Sequence, residues 1–205
     1  VGNGFVASLA RPSGNITGLS IIAPEISGKQ LELLKEIVPK LSRVAVIGSS
    51  AEPANARTLR ETELIAGAFK VQLQYLDVLA PKDLRPAFQA ANKGRAEAVL
   101  AVSNFVIIAQ RTQIADLAIK NRLPAIYPWP EFVEDGGLMT YSVSFADLFR
   151  RAATYVDKIL RGAKPAELPV EQPKKFEFIN NLKAAKQIGL TIPPNVLVRA
   201  DRVIR

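Results

Sequence analysis

The side chains best suited to chemistry follow short apolar runs that have the character of buried strands. They are hydroxyls, an amide, aromatic rings and carboxylates, at Ser49, Ser50, Glu52, Ser103, Asn104, Trp129, Glu131 and Tyr141. Aromatic rings and hydroxyls with a few amides and charges are the composition expected of a pocket for a small organic ligand. We therefore predict that these eight residues line a ligand-binding crevice.

Three of these features have a purely structural alternative. Asn104 could bond a ligand's amino or carboxylate group, or cap the helix predicted directly after it. Trp129 is the only tryptophan and stands between two prolines, where it could wall a crevice or cover a helix. Residues 48–55 read GSSAEPAN, which could hold an anion at a helix N-terminus or be an ordinary serine-rich helix entry. The sequence leaves these alternatives open.

The residue inventory argues against catalysis. The chain has no histidine and no cysteine, which removes the usual general base, the Ser-His-Asp triad and the commonest transition-metal ligands. Glu52 and Glu131 are the only acids in the predicted crevice, and residues 48–55 lack both the P-loop lysine and the dinucleotide-binding glycines. We predict no catalytic residue, no metal and no cofactor, and keep an unrecognised α/β enzyme as an alternative.

Strand-like and helix-like segments alternate through the middle of the chain. The predicted strands are residues 43–47, 71–76, 96–102, 124–127 and 138–141. The predicted helices are residues 53–69, 81–92, 106–121, 131–135 and 145–160. This alternation is typical of βαβ units, so the fold class is α/β with a doubly wound, mostly parallel sheet. The carboxyl ends of parallel strands share one edge, which is where the candidate residues stand.

Both ends of the chain look like parts of a second lobe. A helix is predicted from about Ser27 to Val38, capped by Ser27, and a strand at residues 175–180 precedes a helix at 182–188. We expect a first-lobe remnant and hinge at 1–18, a complete lobe at 19–142, and a long helix returning to the first-lobe remnant at 143–205. Phe176 and Phe178 would then expose apolar surface, which predicts a homodimer.

The charge is positive and spread along the sequence. There are 27 Lys and Arg against 19 Asp and Glu, a formal net charge of +8. The cations form no long run and no aromatic side chains interleave with them, which favours a solvated basic surface over a nucleic-acid site. No stretch is apolar enough to span a bilayer, and no export signal follows Val1. Either the protein is cytoplasmic or its targeting segment lies outside this chain, and the absence of an initiator Met favours the second.

Five segments together resemble a known family. They are residues 1–12, 14–20, 28–35, 148–160 and 182–186, which read VGNGFVASLARP, GNITGLS, GKQLELLK, LFRRAATYVDKIL and LKAAK. They resemble the ABC transporter substrate-binding proteins that include tryptophan- and tyrosine-type binding proteins. The resemblance implies the type I periplasmic-binding-protein fold, in which two α/β lobes joined by crossing strands clamp a ligand. It also implies an N-terminally truncated chain, since the family starts about a hundred residues earlier.

The resemblance also implies a function. By position, Ser49, Ser50 and Glu52 match a ligand-contacting loop, and Ser103 with Asn104 match an Asp-Asn-type pair in which the acid is replaced here. The implied ligand is an aromatic or hydrophobic amino acid or a related aromatic acid. The implied partner is an ABC transporter permease, the implied location is periplasmic or extracytoplasmic, and no nucleic acid is involved. The ligand-sensing domain of a LacI-type regulator shares the fold and is the other alternative.

Overall fold

The alternation predicted from the sequence is present as strands joined by helices. The structure is a computed structural model that describes residues 4–205. The strands in this range are β1 (Arg43–Gly48), β2 (Gln72–Asp77), β3 (Ala98–Ala101), β4 (Ala125–Tyr127), β5 (Met139–Val143), β6 (Phe176–Asn181) and β7 (Arg202–Ile204). The α-helices are α1 (Ala23–Ile37), α2 (Pro53–Ala68), α3 (Leu84–Lys93), α4 (Phe105–Ala109), α5 (Arg111–Lys120), α6 (Glu131–Glu134), α7 (Phe145–Leu160), α8 (Leu182–Ile188) and α9 (Pro194–Leu197).

The strands of the described chain form one mostly parallel sheet in the order β2-β1-β3-β4-β5-β6-β7. β1 is parallel to both β2 and β3, and the pairs β3–β4, β4–β5 and β6–β7 are parallel as well. The chain leaves β1 for β2 on one side and then returns to β3 on the other. The strand order therefore reverses at β1, and a ligand of such a sheet binds outside the carboxyl ends at that point.

Helices cover both faces of the sheet because the apolar strand residues alternate. In β1, Val44 and Val46 belong to one buried cluster while Ala45 and Ile47 belong to the other. The first cluster includes residues of α1, α2, α8 and α9, and the second includes residues of α3, α4, α5 and α6. Both faces being buried explains why the strands read as continuous apolar runs. The predicted doubly wound α/β fold is confirmed.

The chain divides into two compact units. One contains residues 1–22 and 143–176, and the other contains residues 23–142 and 177–205. The first two division points lie directly before α1 and within β5. Residues 177–205 belong with the sheet, which corrects their expected assignment to the first-lobe remnant. The expected remnant also begins at Val1, and residues 1–3 lie outside the described residues.

The correction has a physical reason in β6 and the segments after it. Phe178 and Ile179 are 4% and 3% exposed, and Val196 of α9 is fully buried in the same unit. Phe178 and Val196 belong to the first cluster, and β6 and β7 complete the edge of the sheet. The exposed surface expected at Phe178, on which the homodimer prediction rested, is therefore absent, and Phe176 is itself half-buried.

The smaller unit consists of α7 and two extended segments held together by hydrogen bonds. A parallel bridge joins Leu19 to Glu171, and the Thr17 hydroxyl donates to the Leu168 carbonyl at 2.5 Å. On the other side, the Tyr155 hydroxyl of α7 donates to the Pro169 carbonyl at 2.5 Å. The proline-rich segment after α7 is thus fixed by partners from both directions.

Several predicted boundaries differ from the structure. α1 begins at Ala23, so Ser27 is buried inside the helix and does not cap it. The helix predicted over 106–121 is broken at Gln110, whose φ of −108° and ψ of 22° separate α4 from α5. β5 runs two residues further than predicted, to Val143.

In the described range, no helix combines the length and apolar character that crossing a membrane requires.

Candidate functional site

The predicted loops after β1 and β3 lie side by side at the switch point. β1 and β3 are adjacent and parallel with Ile47 opposite Ala101, so the residues that follow each strand emerge at the same edge. Ser49 and Ser50 follow β1, and Ser103 and Asn104 follow β3. Neighbouring strands are about 4.8 Å apart, which places the two loops within reach of one small molecule.

Asn104 has one side-chain oxygen in use and one nitrogen without a partner. Its Oδ1 accepts a hydrogen bond from the Ile107 backbone N–H at 2.8 Å, so the residue caps α4. The side chain is 3% exposed, and its buried Nδ2 has no hydrogen-bond partner among the described residues. A buried donor without a partner costs about 1–3 kcal/mol. The cap fixes the amide and leaves one donor for a ligand acceptor.

Trp129 is tied to the end of β3. Its indole Nε1 donates to the Ser103 hydroxyl oxygen at 3.1 Å, and its ring packs against the second core cluster. The ring is half-buried, so part of its surface remains open. The structure therefore brings Ser103, Asn104 and Trp129 together at one end of β3 and β4.

On the other side of β1, Glu52 and Asp77 form what we call the acidic corner, and Asp77 is a residue that the sequence analysis missed. The Ser50 backbone N–H donates to Asp77 Oδ1 at 2.8 Å, and the Ser50 hydroxyl donates to Asp77 Oδ2. Burial, followed by the charges of Asp77 and Glu52, raises the pKa of Tyr75 to about 12. Asp77 is the last residue of β2 and pairs with Gly48 of β1. This strand pairing is the signal by which Asp77 could have been found.

Gly48 makes room for the Tyr75 hydroxyl. A Cβ at Gly48 would lie 3.2 Å from that hydroxyl oxygen and 3.4 Å from Val102 Cβ, closer than side chains normally pack. Ser49 is buried, and its carbonyl accepts from Asn55 Nδ2 at 3.3 Å, which ties the loop to α2. Glu52 is the N-cap residue of α2 without a side-chain cap bond. Its carboxylate is therefore not used by the helix.

Two predicted residues lie apart from this group. The Tyr141 ring packs with the first core cluster and meets Phe178 edge-on at 6.3 Å between centroids, whereas Trp129 packs on the second cluster. Burial raises the pKa of Tyr141. Glu131 is exposed at the start of α6.

Ser142 is a candidate that the sequence analysis did not choose. It lies near the carboxyl end of β5 and is 1% exposed, and its hydroxyl has no hydrogen-bond partner among the described residues. Strand alternation places it on the opposite face from Tyr141. An unpartnered buried hydroxyl at this edge is the same kind of signal as the Asn104 amide.

Comparisons with known proteins agree with this architecture. The model of the ABC transporter substrate binding protein family matches residues 1–204. The "Tyrosine-binding protein" of Clostridioides difficile (strain R20291) is 21% identical over 187 residues, which are 91% of this chain and 53% of the relative.

Solved structures agree as well. A conserved domain protein from Vibrio cholerae O1 biovar eltor is 27% identical with a TM-score of 0.89, over 97% of this chain and 66% of that one. An ABC domain in complex with L-Trp from Streptococcus pneumonia is 25% identical with a TM-score of 0.86, over 97% and 68%. This chain thus spans about half of the curated relative and about two thirds of these structures. With the family model matching nearly its whole length, the chain belongs to the ABC transporter substrate binding protein family.

Proposed function

We propose that this chain is part of a substrate-binding protein that delivers an aromatic or hydrophobic amino acid, or a related aromatic acid, to an ABC transporter permease. The ligand binds at the carboxyl edge of the sheet, in a cleft that a second lobe closes. Such delivery takes place outside the cytoplasm. The family membership supports the class of protein, and two relatives whose names refer to tyrosine and L-Trp support the class of ligand.

The buried Asn104 amide is the observation that carries the proposal. The Asn104 oxygen already accepts a hydrogen bond from the N-terminus of α4. The Asn104 nitrogen has no acceptor among the described residues and therefore no structural role. A ligand carboxylate supplies that acceptor, and a hydrogen bond to a charged group is stronger than one between neutral groups. The energy lost by burying the donor in the free protein is then recovered on binding.

The rest of the site is complementary to an amino acid. The carboxylates of Glu52 and Asp77 lie in the acidic corner, about one or two strand spacings from Asn104, where an ammonium group would be attracted. The Trp129 ring offers apolar surface for an aromatic or aliphatic side chain. The Asn104 amide, the two carboxylates and the Trp129 ring would thus bind the carboxylate, the ammonium group and the side chain of an amino acid. A simple aromatic acid has no ammonium group, so the site favours an amino acid.

Exchange of Asn104 for aspartate tests the proposal. Asn104→Asp keeps an oxygen for the α4 cap but replaces the donor with a charge that repels a carboxylate. Isothermal titration calorimetry with L-tyrosine, L-tryptophan, L-phenylalanine and aromatic acids measures the effect. We expect roughly 10-fold to 100-fold weaker binding, the value of one hydrogen bond to a charged group.

Asn181→Asp is the matched control. Asn181 also caps a helix, with its Oδ1 accepting from the Ala184 N–H at 3.1 Å. It lies at the other edge of the sheet, since its own N–H donates to the carbonyl of Leu138, just before β5. The control should bind as the unchanged chain does. Equal affinity of Asn104→Asp and the unchanged chain for every ligand that binds would refute the assigned role of Asn104.

A further inference from the structure

We propose that the edge of the sheet opposite the candidate ligand site binds the anionic phosphate headgroups of a membrane surface. This edge is formed by the turns that lead into β1, β2, β3 and β4. We call it the basic edge and define it by Lys40, Arg43, Lys70, Lys93, Arg95, Lys120 and Arg122. The proposal does not depend on the identity of the transported ligand.

The fold gathers positive charge that the sequence spreads out. The four segments 38–43, 69–72, 93–98 and 120–125 contain seven Lys or Arg and one Glu, a formal charge of +6 out of +8 for the whole chain. They lead into four neighbouring strands in the order β2-β1-β3-β4, so the cations form a row along one edge. The expectation of a diffuse positive charge is corrected by this arrangement.

The cations of the basic edge form no ion pair among the described residues, although the charge of Arg43 helps to lower the pKa of Glu97. None of the eight ion pairs found in residues 4–205 includes a member of the basic edge. The one acid, Glu97, accepts from the Ser42 N–H at 2.6 Å, the Ser42 hydroxyl at 3.0 Å and the Arg43 N–H at 3.1 Å. These backbone and hydroxyl donors lower the pKa of Glu97 and occupy one of its oxygens. An external anion is therefore the available counter-charge.

Three of the cations stand where glycine would be the favoured residue. Lys70, Arg95 and Arg122 have φ values of 56°, 56° and 52°, in the left-handed region that L side chains seldom adopt. Each is the residue that follows the C-cap of a helix, a position that most often holds glycine. A long cation at all three turns costs backbone strain without making an ion pair. Arg43 Nε also donates to the Arg95 carbonyl at 3.1 Å, which steadies one of these turns.

The shape of this charge fits a lipid surface. Lipid headgroups present many phosphates in a plane, and a row of separate cations along one edge can meet several at once. Phe69 is the one aromatic residue in the four segments, and it packs against the first core cluster, so the edge has no row of aromatic rings of the kind on which proteins stack single-stranded nucleic acid. The acids Glu52 and Asp77 lie at the opposite edge, so the positive charge is concentrated at the basic edge.

Vesicle co-sedimentation of the 205-residue chain tests the proposal. The vesicles contain phosphatidylcholine with about one phosphatidylglycerol in three lipids, or phosphatidylcholine alone, at about 0.15 M salt. We expect binding only to the vesicles with phosphatidylglycerol, and release of the protein at about 1 M salt. Equal binding to both kinds of vesicle, or to neither, overturns the proposal.

A triple variant locates the binding to the basic edge. Lys70→Gly, Arg95→Gly and Arg122→Gly remove three cations and also relieve three left-handed positions, so loss of folding does not confuse the result. Each cation near an anionic surface contributes about fivefold, so partitioning should fall roughly 100-fold. The control removes three exposed cations elsewhere, by Arg57→Gln, Arg60→Gln and Lys82→Gln, and should weaken binding much less.

Three outcomes of the variant and competition experiments count against a lipid surface. An equal loss in the control triple variant means that only net charge matters. Displacement by millimolar inorganic phosphate, but not by chloride of equal ionic strength, indicates a single phosphate site. Tighter binding to a nucleic-acid duplex than to the vesicles in the same buffer identifies a different anionic partner.

Discussion

Removing the Tyr127 hydroxyl should stabilise the unit of residues 23–142 and 177–205, which we call the sheet unit. Tyr127 is 0% exposed and its ring stacks on Phe132 at 4.8 Å between centroids, yet its hydroxyl has no hydrogen-bond partner among the described residues. The cost of that unpaired group is about 1–3 kcal/mol. Tyr127→Phe removes it and leaves a gap of roughly 10 Å³, which costs about 0.2 kcal/mol. The net effect is stabilisation by about 1–3 kcal/mol.

Differential scanning calorimetry measures this effect. The transition temperature should rise by about 2–12 °C in Tyr127→Phe. Tyr155→Phe is the matched change in the smaller unit, where the hydroxyl donates to the Pro169 carbonyl at 2.5 Å. The free energy of unfolding of Tyr155→Phe should be lower by about 1 kcal/mol. A lower transition temperature for Tyr127→Phe would refute the reasoning, because the hydroxyl would then have a stabilising partner.

Two further predictions concern close packing and pH. Gly137→Ala should cost about 1–3 kcal/mol in a denaturant titration, because its Cβ would lie 2.5 Å from Tyr127 Cε2 and 2.7 Å from the Phe132 carbonyl oxygen. The pKa of Glu97 in the folded protein is lowered from 4.5, mainly by the hydrogen bond from the Ser42 N–H. The ionised Glu97 carboxylate therefore stabilises the fold above pH 4.5, and this stabilisation is lost as the pH falls through the pKa of the folded state. Unfolding titrations from neutral pH to below pH 4.5 should therefore show a shallower acid decline for Glu97→Gln, and an unchanged decline would contradict this.

Local chemistry explains what the sequence could predict. The cap formed by Asn104 depends on residues three positions apart, and the bounds of α7 and α8 follow from helical periodicity and from Gly162 and Gly189 after them. The regular alternation of strands and helices fixed the fold class. The choice of loops after β1 and β3 followed from the rule for parallel sheets, without knowledge of any contact.

Contacts between distant residues explain what the sequence could not predict. Ser50 meets Asp77 only because β2 lies beside β1 in a particular register. Residues 177–205 complete the sheet unit because β6 and β7 extend an edge that no local pattern identifies. Tyr141 and Trp129 lie on opposite faces of the sheet because they pack against different clusters, which no local pattern shows. The basic edge is invisible in the sequence for the same reason, since its cations are 82 residues apart at the extremes, from Lys40 to Arg122.

The central claim is that a small ligand binds at the carboxyl edge of the sheet through Asn104. The most direct test is a proton–nitrogen correlation spectrum of the nitrogen-15-labelled chain, recorded during titration with L-tyrosine, L-tryptophan and L-phenylalanine. The account predicts that the side-chain amide signals of Asn104 and the indole signal of Trp129 shift with one common affinity, while the amide signals of Asn181 stay in place. Shifts confined to other regions, or an unchanged Asn104 amide with a bound ligand, would contradict it.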